Sequence, residues 1–277
     1  MVGRALAILA LLAMPAGAAD IPQSQPPARV VSINLCTDQL ALMLAAPGQL
    51  ISVSYLAHDP KASVMAGTAR AIPVNHGLAE DILRLAPDLV LAGRFSATAT
   101  VQMLERTGQP VAMFDPETSM DDIRANILRM GALLGREDHA AAILADFDAD
   151  LAALEALPRL HARAAVYGPN GYSPGHATLA GSIVAAAGLE NLATELGLPH
   201  GGMVSLEHLV QAQPDLVILS APERGASRAE EVLTHPALAR IRQASRTALV
   251  TDADWTCGTP KVLRAAARLR AALETAQ

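Results

Sequence analysis

The sequence predicts an α/β protein of two lobes, each with a mainly parallel sheet flanked by helices, joined by one long backbone helix. Three observations predict this fold. Short aliphatic and β-branched runs alternate with helical patterns through most of the 277 residues. One long helical stretch interrupts that alternation near the middle. A segment of the first half then recurs in the second half, shifted by 127 residues, as from Glu80 to Glu207.

The composition is that of a chain with a substantial core. The sequence is 51% hydrophobic and 17% charged, which excludes an intrinsically disordered protein. Aromatic residues make up only 3%, so the apolar bulk comes from Ala, Leu, Val and Ile, as expected of helices on buried parallel strands. A net charge of −6 argues against a nucleic-acid binder. Because no apolar run reaches about 18–20 residues, a polytopic membrane protein is excluded.

The first residues have the pattern of a secretory signal. Arg4 precedes the apolar run Ala5–Met14, and Pro15 and small residues up to Ala19 follow it. The alternative is an anchor helix, but ten apolar residues are too few to span a bilayer. We therefore predict a signal peptide over 1–19, cleaved after Ala18 or Ala19, and a Pro-rich tether over 20–28.

The N-terminal α/β lobe is expected over 29–118. Apolar runs bounded by turn residues predict its strands, and Pro47-Gly48 ends its first helix. The predicted strands are Val30–Ile33, Leu50–Ser54, Ile72–Val74, Asp88–Leu91 and Pro110–Phe114, and the predicted helices are Asp38–Ala45 and Leu78–Leu85.

A bridging helical segment is predicted over 119–158. Ser119 is a helix N-cap, and acidic residues follow it in the first turn of the helix. Gly135 then interrupts the helix. The second part runs from Glu137 to about Leu157, with one apolar face, and Pro158 ends it. At ~1.5 Å per residue this helix is roughly 30 Å long, which is enough to connect two lobes.

The C-terminal α/β lobe is expected over 159–277. Its predicted strands are Ala164–Tyr167, Leu216–Leu219 and Ala248–Thr251, and its predicted helices are Ala180–Ala187, Ser205–Ala212 and Lys261–Thr275. The repeat aligns Glu80, Pro87 and Asp88 with Glu207, Pro214 and Asp215. Helix–Pro-Asp–strand turns occur in many α/β proteins, but a match in charge, turn and strand together favours two related lobes.

The candidate site residues come from the loops after strands. The chain carries no familiar catalytic motif, and its eight histidines show no short metal-binding spacing, although His58 and His76 follow strands. Ligands of open α/β sheets bind beyond the carboxyl ends of the strands. Four of the seven rings fall in such loops: Tyr55, Phe95, Tyr172 and Trp255. One ring can simply anchor its own loop, but four from both halves favour a cleft for a large, partly apolar ligand.

The two cysteines, Cys36 and Cys257, lie near opposite ends of the chain. They can pair in an oxidising compartment, and the sequence alone does not decide whether they meet.

The order of motifs resembles the cobalamin/ferric-siderophore periplasmic-binding proteins, the helical-backbone substrate-binding components of ABC importers. The resemblance covers about Arg29 to Leu273 and rests on residues 28–60, GLAEDILRLAPDLVLAG, the helix after Met120, VSLEHLVQAQPDLVILS and DWTCGTPKVLRAA. It implies two α/β lobes joined by a rigid helix, with the ligand between them.

The resemblance also implies roles for individual residues. Glu80 and Glu207 match the acids that dock on the two permease subunits. Where cobalamin binders place Trp, this chain has Arg94 and Phe95, and Arg94 suits an anionic group such as a carboxylate or a haem propionate. Cys36 and Cys257 fall in predicted cleft loops, one per lobe. A disulfide there would lock the lobes, so free thiols or soft metal ligands are alternatives.

The sequence therefore predicts a monomeric periplasmic substrate-binding protein, without a cofactor or a dedicated metal site. Its ligand is a corrinoid or an iron chelate (siderophore or haem), and its partner is the ABC permease dimer of the inner membrane. The predicted ligand-binding residues are Cys36, Tyr55, Arg94, Phe95, Tyr172, Trp255 and Cys257. Two other classes stay open. One is a binder of a bare transition-metal ion, which requires His58, His76 or His176 to converge, and the other is an exported enzyme.

Overall fold

The computed structural model describes residues 25–220 and 228–274. The predicted signal peptide over 1–19 and the first part of the tether, residues 20–24, lie outside the described residues. None of the helices in the described ranges combines the length and apolar composition needed to cross a membrane.

The first half of the chain forms a five-stranded parallel sheet. Its strands are β1 (Val30–Ser32), β2 (Leu50–Ser54), β3 (Val74–Asn75), β4 (Leu89–Gly93) and β5 (Val111–Phe114), and its helices are α1 (Leu35–Leu44), α2 (Ala66–Ala69), α3 (Ala79–Arg84) and α4 (Thr98–Arg106). The spatial order is β3-β2-β1-β4-β5, with every pairing parallel. The order changes direction between β1 and β4, and sheets of this kind leave a crevice at that point.

Two consecutive helices, α5 (Met120–Leu134) and α6 (Glu137–Glu155), connect the two halves. Ser119 and Asp122 form a reciprocal capping box at the start of α5. Gly135 ends α5 in the left-handed conformation, at φ 63°, and a Cβ atom there would lie 2.3 Å from Pro26. The predicted cap and interruption are thus confirmed, and α6 has 19 residues, with Phe147 and Leu151 on its buried face.

The second half contains a smaller parallel sheet of four strands and a two-stranded antiparallel ribbon. Its strands are β6 (Arg163–Tyr167), β7 (Tyr172–Ser173), β8 (Glu190–Asn191), β9 (Gly202–Met203), β10 (Leu216–Ser220) and β11 (Arg246–Val250). Its helices are α7 (Leu179–Ala186), α8 (Leu192–Glu195), α9 (Leu206–Ala212), α10 (Pro236–Ala244), α11 (Asp252–Trp255) and α12 (Val262–Glu274). The parallel sheet has the order β11-β10-β6-β8, and β7 pairs with β9 in an antiparallel ribbon.

The main hydrophobic core continues through both halves. It includes Val30 and Leu40 from the first sheet region, Phe147 from α6, and Ile183 and Leu263 from the second. The predicted α/β fold with two mainly parallel sheets and a connecting helix is confirmed. Differences concern details: β11 begins two residues earlier than predicted, because Arg246 already pairs with Leu216.

Candidate functional site

A pocket of about 260 Å³ opens at the crevice between β1 and β4. Its walls are residues 34–37 after β1, 93–95 at the end of β4, 114–117 after β5, and Thr256 from the C-terminal half. Asn34 caps α1 by accepting hydrogen bonds from the N–H groups of Cys36 and Thr37. Gly93 lets Asn34 reach this position, since a Cβ atom at 93 would lie 2.6 Å from the Asn34 amide nitrogen.

Cys36 and Cys257 form a disulfide that ties this pocket wall to the C-terminal half. The alternatives of free thiols and soft metal ligands are wrong, because each sulfur is already bonded to the other. Cys36 lines the pocket, and Cys257 is buried directly behind Thr256. Contact of a ligand with either cysteine stays a prediction.

Further hydrogen bonds surround the disulfide, and those of Gly258 and Ala253 join the two halves. The Gly258 N–H donates to Glu117 Oε2 at 3.2 Å, and Asn126 Nδ2 donates to Oε1 at 2.7 Å. Burial raises the pKa of Glu117, while these hydrogen bonds oppose that rise. The Ala253 N–H donates to the Lys61 carbonyl at 2.9 Å. The base of the cleft is therefore joined by a covalent bond and by several polar contacts.

Arg94 is paired with Asp115, which the sequence did not suggest. Arg94 Nε donates to Asp115 Oδ1 at 2.7 Å, and Nη2 contacts the same oxygen. The pair follows from the sheet register: Gly93 lies opposite Phe114, so the next residues of the two strands meet. The positions directly after neighbouring strands were the signal that could have found it.

Tyr55 and His76 meet in the same way after β2 and β3. Ser54 pairs with Asn75 in the register, and the rings that follow have centroids 5.2 Å apart at an interplanar angle of 30°. Tyr55 is 52% exposed, so the pair offers aromatic surface to solvent. Neither ring lines the 260 Å³ pocket.

A buried polar layer supports these loops from below. Asn75 Nδ2 donates to the carbonyls of Ser32 and Val53, and Asp38 accepts the N–H and the hydroxyl of Ser54. Asp38 is fully buried, and this burial raises its pKa to about 6 against the opposing hydroxyl hydrogen bonds. Because Tyr55 follows Ser54 and the ring of His76 follows Asn75, this layer fixes the backbone from which both rings project.

The other predicted rings differ in exposure. Phe95 lines the pocket and is 83% exposed. Tyr172 is also exposed, but it lies outside this pocket. Trp255 is half-buried and packs against the main core, which is the arrangement of a ring that anchors its own loop. The remaining three rings, Phe114, Phe147 and Tyr167, are buried.

The histidines do not form a cluster. His58 Nε2 bonds the carbonyls of Ala69 and Ile72, so this ring holds its loop. His176 Nδ1 contacts the hydroxyl of Thr194. Within residues 25–220 and 228–274, no three His, Cys, Asp or Glu side chains are grouped as a metal ion would require. Nothing in the described part of the chain thus favours the bare-metal alternative.

Glu80 and Glu207 lie in equivalent places, in the first turns of α3 and α9. Both side chains are exposed. The backbone N–H of Glu207 and the Ser205 hydroxyl hold the pKa of Glu207 below its usual range. Each helix leads through a Pro-Asp turn into β4 or β10, so its first turn points toward the carboxyl ends of the strands.

A larger groove of about 1010 Å³ lies elsewhere, between α1, α6 and α12. Its walls include Met43, Phe147 and Lys261, and none of the predicted site residues contributes to it. Size alone therefore does not identify the functional site in this chain.

Comparison with known proteins gives a consistent result. The family model described as "Periplasmic binding protein" matches residues 30–254. A "Cobalamin-binding protein" of Halobacterium salinarum is 31% identical over 198 residues, which are 69% of this chain and 53% of that protein. The chain thus spans about half the length of the curated relatives it matches.

Solved structures share the fold at low identity. A periplasmic heme-binding protein, RhuT from Roseiflexus sp. RS-1, has a TM-score of 0.73 at 22% identity, covering 90% of this chain and 99% of that one. The periplasmic vitamin B12-binding protein BtuF of Vibrio cholerae has a TM-score of 0.69 at 18% identity, covering 91% and 98%. At these identities the likeness shows the fold alone.

Proposed function

Because the chain belongs to the periplasmic binding protein family, a family of binding proteins and not of enzymes, we propose that it captures a corrinoid or a ferric chelate between its lobes. It then delivers this ligand to the permease of an ABC importer. The residues of the signal-like N-terminus would send it to the periplasm. Cobalamin, haem and vitamin B12, the ligands for which the similar proteins are named, support a large metal chelate as the ligand class.

One observation carries the proposal: two of the seven rings, Phe95 and Tyr55, are exposed on loops at the carboxyl ends of the N-terminal sheet. Phe95 and Tyr55 are 83% and 52% exposed, although the whole chain has only seven rings. Exposed rings gain nothing for the core, whereas stacking on a macrocycle or a chelate buries large apolar areas.

A ligand panel tests the proposal. Cyanocobalamin, haem, ferrioxamine B and ferric citrate are titrated into the purified protein, with absorbance and calorimetry as readouts. We expect saturable one-to-one binding of at least one of them, weakened roughly tenfold by Phe95→Ala. Met103→Ala, an exposed apolar residue of α4 away from the pocket, is the matched control. Absence of binding to all four would contradict the proposal.

The docking role of Glu80 and Glu207 is tested by charge reversal. In cells that depend on the imported ligand, Glu80→Arg with Glu207→Arg should abolish uptake, because two exposed acids, one per lobe, suit basic pockets of two permease subunits. Ligand affinity in vitro should stay unchanged. Glu105→Arg, an exposed acid of α4, is the control. If the double variant keeps both affinity and uptake, the docking assignment is wrong.

A further inference from the structure

The pocket presents a charge pair where a free cation was expected. The guanidinium of Arg94 is engaged by Asp115, whose Oδ1 accepts from Nε at 2.7 Å and also contacts Nη2. The Arg94 N–H is fixed as well, since it donates to the Phe114 carbonyl at 2.9 Å. Both side chains are about two-thirds exposed, at 67% and 71%, so the ion pair lies at the entrance of the pocket.

The third charged side chain that lines the pocket is acidic. Glu117 lines the same walls, with its carboxylate held by Asn126 and the Gly258 N–H. Among the described residues around this pocket, one guanidinium therefore faces two carboxyl groups. The other walls are neutral, among them Asn34, Thr37 and Phe95.

This arrangement acts differently on ligands of different charge. An anionic group that approaches Arg94 meets a guanidinium whose Nε and Nη2 already contact Asp115, and it also approaches the carboxyl groups of Asp115 and Glu117. A neutral or cationic ligand does not need the Arg94 guanidinium and is not repelled by the carboxyl groups. It stacks on Phe95 while the Arg94–Asp115 ion pair stays intact.

We propose that Asp115 is the specificity-determining residue of this cleft, and that it selects a chelate without free carboxylates, such as a corrinoid or a neutral or cationic ferric hydroxamate, over haem and ferric carboxylates. This inference rests on the proposed function and reverses the expectation that Arg94 binds an anion. The competing possibility is that Arg94 leaves Asp115 when an anion arrives, because exposed ion pairs contribute little.

The experiment separates these two cases. Native protein, Asp115→Asn and Arg94→Gln are titrated with cyanocobalamin, ferrioxamine B, haem and ferric citrate. Asp115→Asn keeps the side-chain shape and removes the negative charge that pairs with Arg94. Asp81→Asn is the matched control, since Asp81 forms an exposed pair with Arg84 at 2.7 Å, away from the pocket.

We expect the native protein to bind cyanocobalamin or ferrioxamine B more tightly than the two carboxylate ligands. Asp115→Asn should raise affinity for haem and ferric citrate roughly twofold to fivefold and leave the other two unchanged. A native preference for the carboxylate ligands overturns the inference but leaves the proposed function standing. So does an Arg94→Gln variant that loses haem affinity while Asp115→Asn gains none. Absence of binding to all four ligands overturns both.

Discussion

The two lobes are alike at one edge of their sheets and different at the other. At the amino ends of the central strands, both use the same hydrogen bonds. Asp88 Oδ2 accepts the N–H of Arg29 at 2.9 Å, and Asp215 Oδ2 accepts the N–H of Arg163 at 2.8 Å. The N–H groups of the two aspartates donate back to the carbonyls of the same arginines.

The likeness extends to the arginine side chains. Arg29 Nη2 donates to the Leu85 carbonyl and Arg163 Nη1 donates to the Ala212 carbonyl, each at 2.5 Å, at the ends of α3 and α9. The residues that follow these carbonyls, Ala86 and Gln213, have left-handed φ angles of 43° and 48°. The offset of the sequence repeat aligns Leu85 and Ala86 with Ala212 and Gln213. The repeat therefore encodes a complete helix-to-strand connection.

At the carboxyl ends the lobes diverge. The N-terminal lobe has a buried polar layer there, with Asp38, Ser54 and Asn75 below the exposed rings. The C-terminal lobe instead continues β6 into a Pro-Asn-Gly turn and the ribbon of β7 and β9. The two lobes therefore keep the same hydrogen bonds at the amino ends of their strands, and they differ at the carboxyl ends, which face the cleft.

The largest expected effect comes from breaking the covalent link between the divergent edges. Cys36→Ser with Cys257→Ser should lower the free energy of unfolding by about 4 to 5 kcal/mol, because the bond closes a loop with a sequence separation of 221. Urea denaturation measures this. Native protein in reductant should show the same loss, and the double variant should not respond to reductant. An unchanged midpoint in the double variant would sink the assignment.

Asp38, the buried acid at the carboxyl edge of the N-terminal sheet, predicts a pH dependence of the free energy of unfolding. The pKa of Asp38 is raised from 3.8 to about 6, so the folded chain holds this proton more tightly than the unfolded chain. Its contribution is complete below about pH 4 and is lost as pH rises through 6, which lowers the free energy of unfolding by roughly 3 kcal/mol.

Asp38→Asn removes this contribution. The difference between the native and variant stability curves should therefore change between about pH 4 and pH 6 and stay level above pH 7. Denaturation series at several pH values measure the difference. Parallel curves over the whole range would show that Asp38 does not titrate in this way.

The shared edge predicts smaller and graded losses. Asp88→Ala should cost about 2 to 3 kcal/mol and Asp215→Ala about 1 to 2, since Asp88 accepts a second N–H, from Ala28 at 2.8 Å. Thermal or urea denaturation measures both. Asp59→Ala, whose carboxylate accepts the nearby N–H of Lys61, is the control. A larger loss for Asp215→Ala than for Asp88→Ala would contradict the contribution assigned to the second N–H that Asp88 accepts.

Local signals made much of the fold predictable. The cap at Ser119, the interruption at Gly135 and the apolar face of α6 act within a few residues, so the sequence alone reveals them. The repeat pointed to Glu80 and Glu207 for the same reason. By contrast, β7, β8 and β9 have two residues each, too few for a periodic pattern, and the N-cap residue of α4, Ala97, makes no side-chain cap hydrogen bond.

The site was less predictable because it depends on which strands are neighbours. Arg94 and Asp115 meet only because β4 and β5 pair, and Tyr55 meets His76 only because β2 and β3 pair. The sequence indicated the strand ends but not their register. It also left the state of Cys36 and Cys257 open, since the distance between two residues 221 positions apart is set by the tertiary fold.

The disulfide also changes the topology of the molecule. Between Cys36 and Cys257 the backbone and the sulfur bridge form a closed ring that contains nearly all of both lobes. A single proteolytic cut anywhere within that ring leaves one covalent molecule, whose two pieces separate only after reduction. The ring therefore keeps the molecule in one covalent piece after a first cleavage.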